Sequence, residues 1–306
     1  MPHKVVIIGL GAISSVLSGI LLENPDCRLK VIVKKKHLKT LKNKGLLLTN
    51  QTDKRYFPEV HDSIDFDLKD TLVIPLVKLY DLRQVTEQIQ HQVRPSTRFL
   101  ILQNGIHIRS KIEEWSAGRI TSQQMFRGYC QFGATLMSIG KVRYFLGTLV
   151  IEKKFFSSPF STIFASSFID VHVSSNIKQR IWKKLLINSI YNPLSMILKT
   201  SNNVISGEKI NPLKQAILNE GLAVAASEGF RINLDIEGLN SLVQSDNLTS
   251  MYQDYSFNRP TEIDYLNGEI IRTARKNNIP VPVNTFIVDL IHSLLFIRDN
   301  QLSRSK

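Results

Sequence analysis

Val5-Val6-Ile7-Ile8-Gly9-Leu10-Gly11-Ala12-Ile13-Ser14 joins a β-branched apolar run to the pattern G-x-G-x-x-S. A short apolar run ended by glycine reads as a buried strand. In a dinucleotide fingerprint the first glycine permits a tight turn and the second lets the backbone approach a pyrophosphate. The third lets the following helix pack against the strand. Here Ser14 stands in the third place, a small residue but a departure that bears on cofactor affinity. A helix is expected from about Ala12 to Leu22. Strand, glycine turn and helix in that order make Gly9, Gly11 and Ser14 the cofactor-binding candidates of this loop.

The same stretch, Val5 to Leu22, carries no charge and follows Lys4, as a leader or anchor would. Ser14, Ser15, Ser18 and Gly19 dilute it, and no later segment is long and apolar enough to span a bilayer. The expectation is a cytoplasmic chain with no membrane partner.

Outward from this loop, strand-like and helix-like segments alternate. Leu29 to Val33 reads as a second strand, Leu38 to Asn43 as helical and Thr71 to Pro75 as a buried strand. A helix is expected after Tyr80, and the strand Phe99 to Leu102 runs into the turn Gln103-Asn104-Gly105. Such alternation favours an α/β domain with a mostly parallel sheet. Ala134 to Ser138, Val142 to Ile151 and Ile169 to Val173 look like added strands. From Ile177 onward apolar residues recur at helical spacing, over Ile181 to Leu198, Leu213 to Glu228, Thr261 to Asn277 and Asn284 to Ile297. The expected division is therefore a Rossmann-type domain over 1–175 and a helical domain over 176–306, with the ligand site in the cleft between them.

The end of the second strand bears on cofactor choice. Enzymes that use NAD place an acidic residue there for the ribose 2′-hydroxyl. This chain offers Lys34, Lys35 and Lys36 instead, which suits the 2′-phosphate of NADPH. The competing reading is a solvated lysine cluster at a helix start.

Composition narrows the classes. With 39 Lys+Arg against 26 Asp+Glu the chain carries +13, which alone would suit a nucleic-acid ligand. The basic residues are spread along the chain, including Lys39, Lys42, Lys44 and a tail with Arg304 and Lys306, and they do not alternate with aromatics as a single-strand-binding face requires. No nucleic-acid partner is expected. Cys27 and Cys130, far apart, form neither a disulfide framework nor a metal cluster, so reduced thiols and no metal are expected.

Trp182-Lys183-Lys184-Leu185-Leu186-Ile187-Asn188-Ser189-Ile190-Tyr191-Asn192-Pro193 is the most informative stretch of the second half. Lys184, Asn188 and Asn192 stand at i, i+4 and i+8 and share one helix face. That face reads either as a polar pocket or as a solvated stripe. Thr261-Glu262-Ile263-Asp264-Tyr265-Leu266-Asn267-Gly268 follows Pro260 and has capping-box spacing between Thr261 and Asp264. Glu262 then falls in the first helical turn, where simple helix-end electrostatics is the alternative to a functional role.

These two segments resemble those of the ketopantoate reductase family, which shows Trp-x-Lys-Leu followed by two asparagines and a proline, and Thr-Glu-Ile-Asp-Tyr-x-Asn-Gly. Asn247-Leu248-Thr249-Ser250-Met251 with Asp254 is also family-like, as are Lys78 and Asn104 in the first half. The resemblance runs from about Lys4 to Asn284 and is more specific in the second half. It implies an all-helical second domain like the C-terminal domain of 6-phosphogluconate dehydrogenase, and NADPH-dependent reduction of 2-dehydropantoate, a small 2-keto acid, to (R)-pantoate for coenzyme A biosynthesis. It makes Lys184 the general acid, sets Asn104 beside the nicotinamide and gives Glu262 the substrate hydroxyl. Asn188, Asn192, Asn247 and Ser250 would hold the substrate, Lys34 the 2′-phosphate and Lys78 the cofactor. His107 departs from a glycine that is frequent after the Asn-Gly pair. Another 2-keto acid as substrate, or a non-catalytic NADP-binding regulator, remain alternatives, and a homodimer is left open.

Overall fold

The computed structural model describes residues 2–243 and 246–304. Lys306 and the Arg304 side chain of the basic tail lie outside the described residues. The chain divides into two compact units, one formed by 1–103 and 107–177, the other by 104–106 and 178–306.

The first unit is built on β1 (His3–Ile8), α1 (Ala12–Leu22), β2 (Cys27–Ile32), α2 (Lys35–Lys44), β3 (Leu46–Thr49), β4 (Asp53–Tyr56), β5 (Glu59–His61), β6 (Thr71–Pro75), α3 (Leu79–Ile89), β7 (Arg98–Ile101) and α4 (Ile108–Trp115). It continues through β8 (Met125–Gln131), β9 (Ala134–Ser138), β10 (Lys141–Tyr144), β11 (Thr148–Glu152) and β12 (Asp170–Ser174). An eight-stranded sheet runs β12-β11-β8-β7-β6-β1-β2-β5. From β5 to β8 every neighbouring pair is parallel. The order β5-β2-β1-β6-β7-β8 is the 3-2-1-4-5-6 order of a dinucleotide-binding sheet, with its topological switch between β1 and β6. That switch lies where the glycine loop leaves β1. Val5, Ile7, Leu72, Ile74 and Leu100 fill one face of the sheet against Val16, Leu17 and Ile20 of α1.

A second, four-stranded sheet, β4-β3-β10-β9, has no counterpart in the expectation from sequence. Leu46, Leu48 and Val142 from it join the same core. The expected single strand Val142 to Ile151 is in fact β10 and β11, which belong to different sheets. The chain changes sheet at Phe145-Leu146-Gly147. A Cβ on Gly147 would stand 2.5 Å from the Gln131 carbonyl oxygen, so only glycine allows that backbone approach.

The second unit is helical: α5 (Ile177–Leu198), α6 (Asn202–Ile205), α7 (Asn211–Ser227), α8 (Ile236–Leu242), α9 (Ser250–Ser256), α10 (Asn267–Lys276) and α11 (Pro282–Arg304). Leu185, Leu186, Ile190 and Leu194 of α5 pack with Ile217 and Leu218 of α7, Ile270 of α10 and Ile291 of α11. Gly221 lets α7 approach α5 closely, since a Cβ there would meet Leu186 at 2.5 Å. The expected helix Thr261 to Asn277 starts later. Residues 263–265 form a 3-10 turn, Leu266 breaks the helix with φ −108 and ψ −94, and α10 begins at Asn267. The Thr261–Asp264 capping box is not formed, and Glu262 caps the short turn through its backbone rather than entering a helix. No helix among the described residues is long and apolar enough to cross a membrane.

Candidate active site

The glycine loop follows directly from its backbone constraints. Gly9 has φ +110, and a Cβ there would meet the Leu76 carbonyl oxygen at 2.9 Å and Val77 at 3.0 Å. The loop therefore needs glycine to turn against the end of β6. Ser14, in the third glycine's place, is 1% exposed. It accepts from the Gly11 N–H at 2.6 Å and donates back to the Gly11 carbonyl at 3.0 Å, closing the first turn of α1 on itself. Close helix packing is supplied one turn further on, where a Cβ on Gly19 would stand 2.5 Å from Leu48. Lys34 is exposed at the N-cap of α2, just beyond β2, and Lys78 is half-buried at the N-cap of α3, just beyond β6. The field at Lys34 is positive: burial, then the charges of Lys36 and Lys34, hold the His37 imidazole below its usual range. A loop that tolerates no Cβ at Gly9, beside a cationic strand end, fits the phosphates of a dinucleotide.

In the second unit α5 carries Lys184, Asn188 and Asn192 on one face, the first two half-buried and Asn192 buried at 7% exposure. Asn188 Nδ2 donates to Asn104 Oδ1 at 3.3 Å across 84 residues of sequence. Asn104 belongs to the same unit as α5, together with Gly105 and Ile106. Glu262 is half-buried. Asn247 and Ser250 are exposed, Asn247 accepting from the Asn202 N–H at 3.1 Å and Ser250 opening α9 after the Thr249 cap. His107 is the half-buried N-cap of α4.

A connection that sequence reading missed joins the two motifs of this unit. Pro193 lies inside α5 and has no N–H to give the Ser189 carbonyl four residues earlier. Asn267, fully buried at the start of α10, donates to that carbonyl at 2.9 Å. It also donates to Asn284 Oδ1 at 2.9 Å, and Asn284 Nδ2 donates to Glu220 at 2.7 Å. The signal was present as a proline inside an apolar helix, but its partner lies 78 residues away.

A cleft of about 560 Å³ lies at the opposite end of the parallel strands, lined by Arg94, Arg98, Arg119 and Gln124 among others. Arg94 and Arg98 donate there to backbone carbonyls of the segments 91–93 and 95–97. These arginines satisfy loop carbonyls just after α3, away from the end of the sheet where parallel folds bind ligands.

Comparison with known proteins agrees with this geometry. The Ralstonia eutropha PanE/ApbA family ketopantoate reductase superposes with a TM-score of 0.86 at 25% identity, over 97% of this chain and all of that one (100%). A D-mandelate dehydrogenase solved with NADH and anilino(oxo)acetate superposes at 0.84 and 25% identity, over 95% of this chain and 98% of that one. The 2-dehydropantoate 2-reductase of Pyrococcus abyssi is 29% identical over 94% of this chain and 96% of its own length. That of Lactococcus lactis is 28% identical over 95% and 97%. The model of ketopantoate reductase PanE/ApbA matches residues 5–153 and that of its C-terminal domain residues 176–294. The chain therefore belongs to the ketopantoate reductase family, and it is a dinucleotide-dependent oxidoreductase of that type.

Proposed function

We propose that this protein reduces 2-dehydropantoate to (R)-pantoate with NADPH, in the cytoplasm, as a step toward coenzyme A. The observation that carries the reading is the Asn188–Asn104 hydrogen bond, which ties the Lys184 face of α5 to the turn after β7. The names of the Pyrococcus and Lactococcus relatives support the substrate. The division of labour follows: residues 1–175 bind the cofactor and residues 176–306 the substrate.

When bound, a reduced nicotinamide would supply hydride chemistry at this site. As the ketone oxygen gains charge, the Lys184 ammonium stabilises it and donates the proton. Asn104 helps position that lysine, Glu262 accepts the substrate hydroxyl, and Asn188, Asn192, Asn247 and Ser250 hold the rest of the keto acid. Gly9, Gly11 and Ser14 would shape the turn that holds the pyrophosphate, Lys78 would contact the cofactor, and Lys34 would meet the 2′-phosphate. NADPH oxidation measured with and without 2-dehydropantoate tests the reading, and no keto-acid-dependent rate would overturn it.

Cofactor preference is a separate expectation. Lys34 stands at the strand end where an NAD enzyme carries an acid, so NADPH binds more tightly than NADH. Lys34→Ala removes a charge-assisted contact and weakens NADPH binding by about 1.5–3 kcal/mol, leaving NADH nearly unchanged. Fluorescence titration of both cofactors reads this directly; equal affinities in the parent protein would refute it.

A second substrate reading has one observation in its favour. The D-mandelate dehydrogenase neighbour was solved with anilino(oxo)acetate, a ring-bearing analogue of a 2-keto acid, on a similar scaffold. A panel of branched and aromatic 2-keto acids ranked by kcat/KM separates the two.

A further inference from the structure

β8 carries a charge where an internal strand normally buries apolar side chains. Met125, Phe126 and Tyr129 are buried, and so is Arg127, at 3% exposure. The parallel register sets Arg127 beside Ile101, two residues before Gln103. On its other side the antiparallel register pairs Gly128 with Ile151, which brings Arg127 opposite Glu152. The Arg127 backbone N–H donates to Glu152 Oε1 at 2.9 Å, and Arg109, from the first turn of α4, pairs with the same oxygen. The Arg109 guanidinium and the Arg127 backbone N–H thus share one carboxylate that is itself 9% exposed. Burial, then the charge of Arg109, push the Arg127 guanidinium down to about 9, yet a guanidinium remains protonated at neutral pH. Buried ions are a poor way to stabilise a strand, because desolvation offsets most of the attraction. An apolar side chain would serve the sheet as well, so the contact Arg127 makes at the strand end matters.

That contact is the turn. Arg127 Nη2 donates to the Gln103 carbonyl oxygen at 3.4 Å, a long, charge-assisted contact. The Gln103 side chain in turn donates to the Pro75 carbonyl at the end of β6. Gln103 is therefore held from two strands, and the next residue is Asn104.

We propose that Arg127, its backbone N–H held by the Glu152 carboxylate that Arg109 pairs, is a positioning residue that holds the Gln103 carbonyl and so fixes the backbone from which Asn104 projects. Arg127 is too buried to meet a ligand, and its effect is transmitted through the turn alone. The inference rests on the reading of Asn104 as an active-site group, but its structural half stands apart from it.

The test uses the full-length protein and two readouts. Amide hydrogen exchange of a peptide spanning 101–106 is expected to quicken at least tenfold in Arg127→Met, which keeps the volume and removes the charge. Exchange in peptides from α7 and α10 should not change. Unchanged exchange at 101–106 overturns the proposal whatever the substrate proves to be. In steady state, Arg127→Met should lower kcat about 10- to 100-fold with cofactor KM within about threefold, and Arg127→Lys should recover part of it. On an Asn104→Ala background the same substitution should cost little, since both act through one group. Additive losses overturn the positioning role, while a neutral Asn104→Ala overturns the active-site reading instead. Should Arg127→Met fail to fold, Arg127→Lys and Glu152→Gln carry the same two measurements, and native exchange and kcat in both would sink the proposal.

Discussion

Lys184→Ala is expected to lower kcat with 2-dehydropantoate by roughly 10²–10⁴, or about 3–5 kcal/mol of barrier. The residue sits half-buried on the α5 face that includes Asn188, whose amide reaches Asn104. In the proposed mechanism alanine removes both the proton and the positive charge that would face the developing alkoxide. Cofactor binding should survive, because the glycine loop and Lys34 belong to the other unit. Lys183 is one residue, about 100°, around the helix, so Lys183→Ala is the control and should be mild. Steady-state kcat for the two variants gives the answer. Near-native turnover in Lys184→Ala with a loss in Lys183→Ala would mean that the other helix face does the chemistry. A native rate in both would remove the proposed mechanism altogether.

Lys214→Ala is expected to destabilise the helical unit by roughly 3–5 kcal/mol, the largest stability effect foreseen for a residue outside the proposed site. Lys214 is fully buried on α7. Its ammonium donates to the Ile205 carbonyl at 2.8 Å, to Asn240 Oδ1 at 2.6 Å and to the Gly207 carbonyl at 3.4 Å. Tyr191 of α5 reaches the same Asn240 oxygen at 3.5 Å, so one cation links α5, α6, α7 and α8. Alanine leaves a cavity and unpaired oxygens in a dry place; Lys214→Met fills the volume and should cost about half as much. Urea unfolding measures both.

The pH dependence has a definite sign. Burial lowers the Lys214 pKa from its ordinary 10.5. The folded chain therefore holds this proton less tightly than the unfolded chain. The stability gained by its loss is present above 10.5 and disappears as pH falls through the lowered folded value. The stability of the parent relative to Lys214→Met should rise with pH across that window. A gap that shrinks instead would show that folding favours the ammonium, the opposite of what desolvation alone requires.

Much of the architecture is determined by local sequence. The run Val5 to Ile8 ending at Gly9 needs no distant partner to specify a strand and a turn, and α1 spans the expected Ala12–Leu22. Apolar spacing within α5, α7 and α11 likewise marks helices from neighbours three and four residues apart. What the tertiary structure decided is everything that rests on long-range pairing. The four-stranded sheet joins Leu47 to Lys141, and nothing in either segment announces the other. The sheet change at Gly147 depends on a carbonyl sixteen residues upstream, at Gln131. The Thr261–Asp264 spacing suits a cap, yet Leu266 breaks the chain there and Asn267 starts the helix where it can reach the Ser189 carbonyl that Pro193 leaves bare. Arg127 in a buried strand is visible in the sequence, but Glu152, Arg109 and Gln103 become its surroundings only once β8 lies between β7 and β11. Helical periodicity and glycine turns are set by steric limits within a few residues, whereas strand partners and buried polar contacts are set by which surfaces the fold brings together.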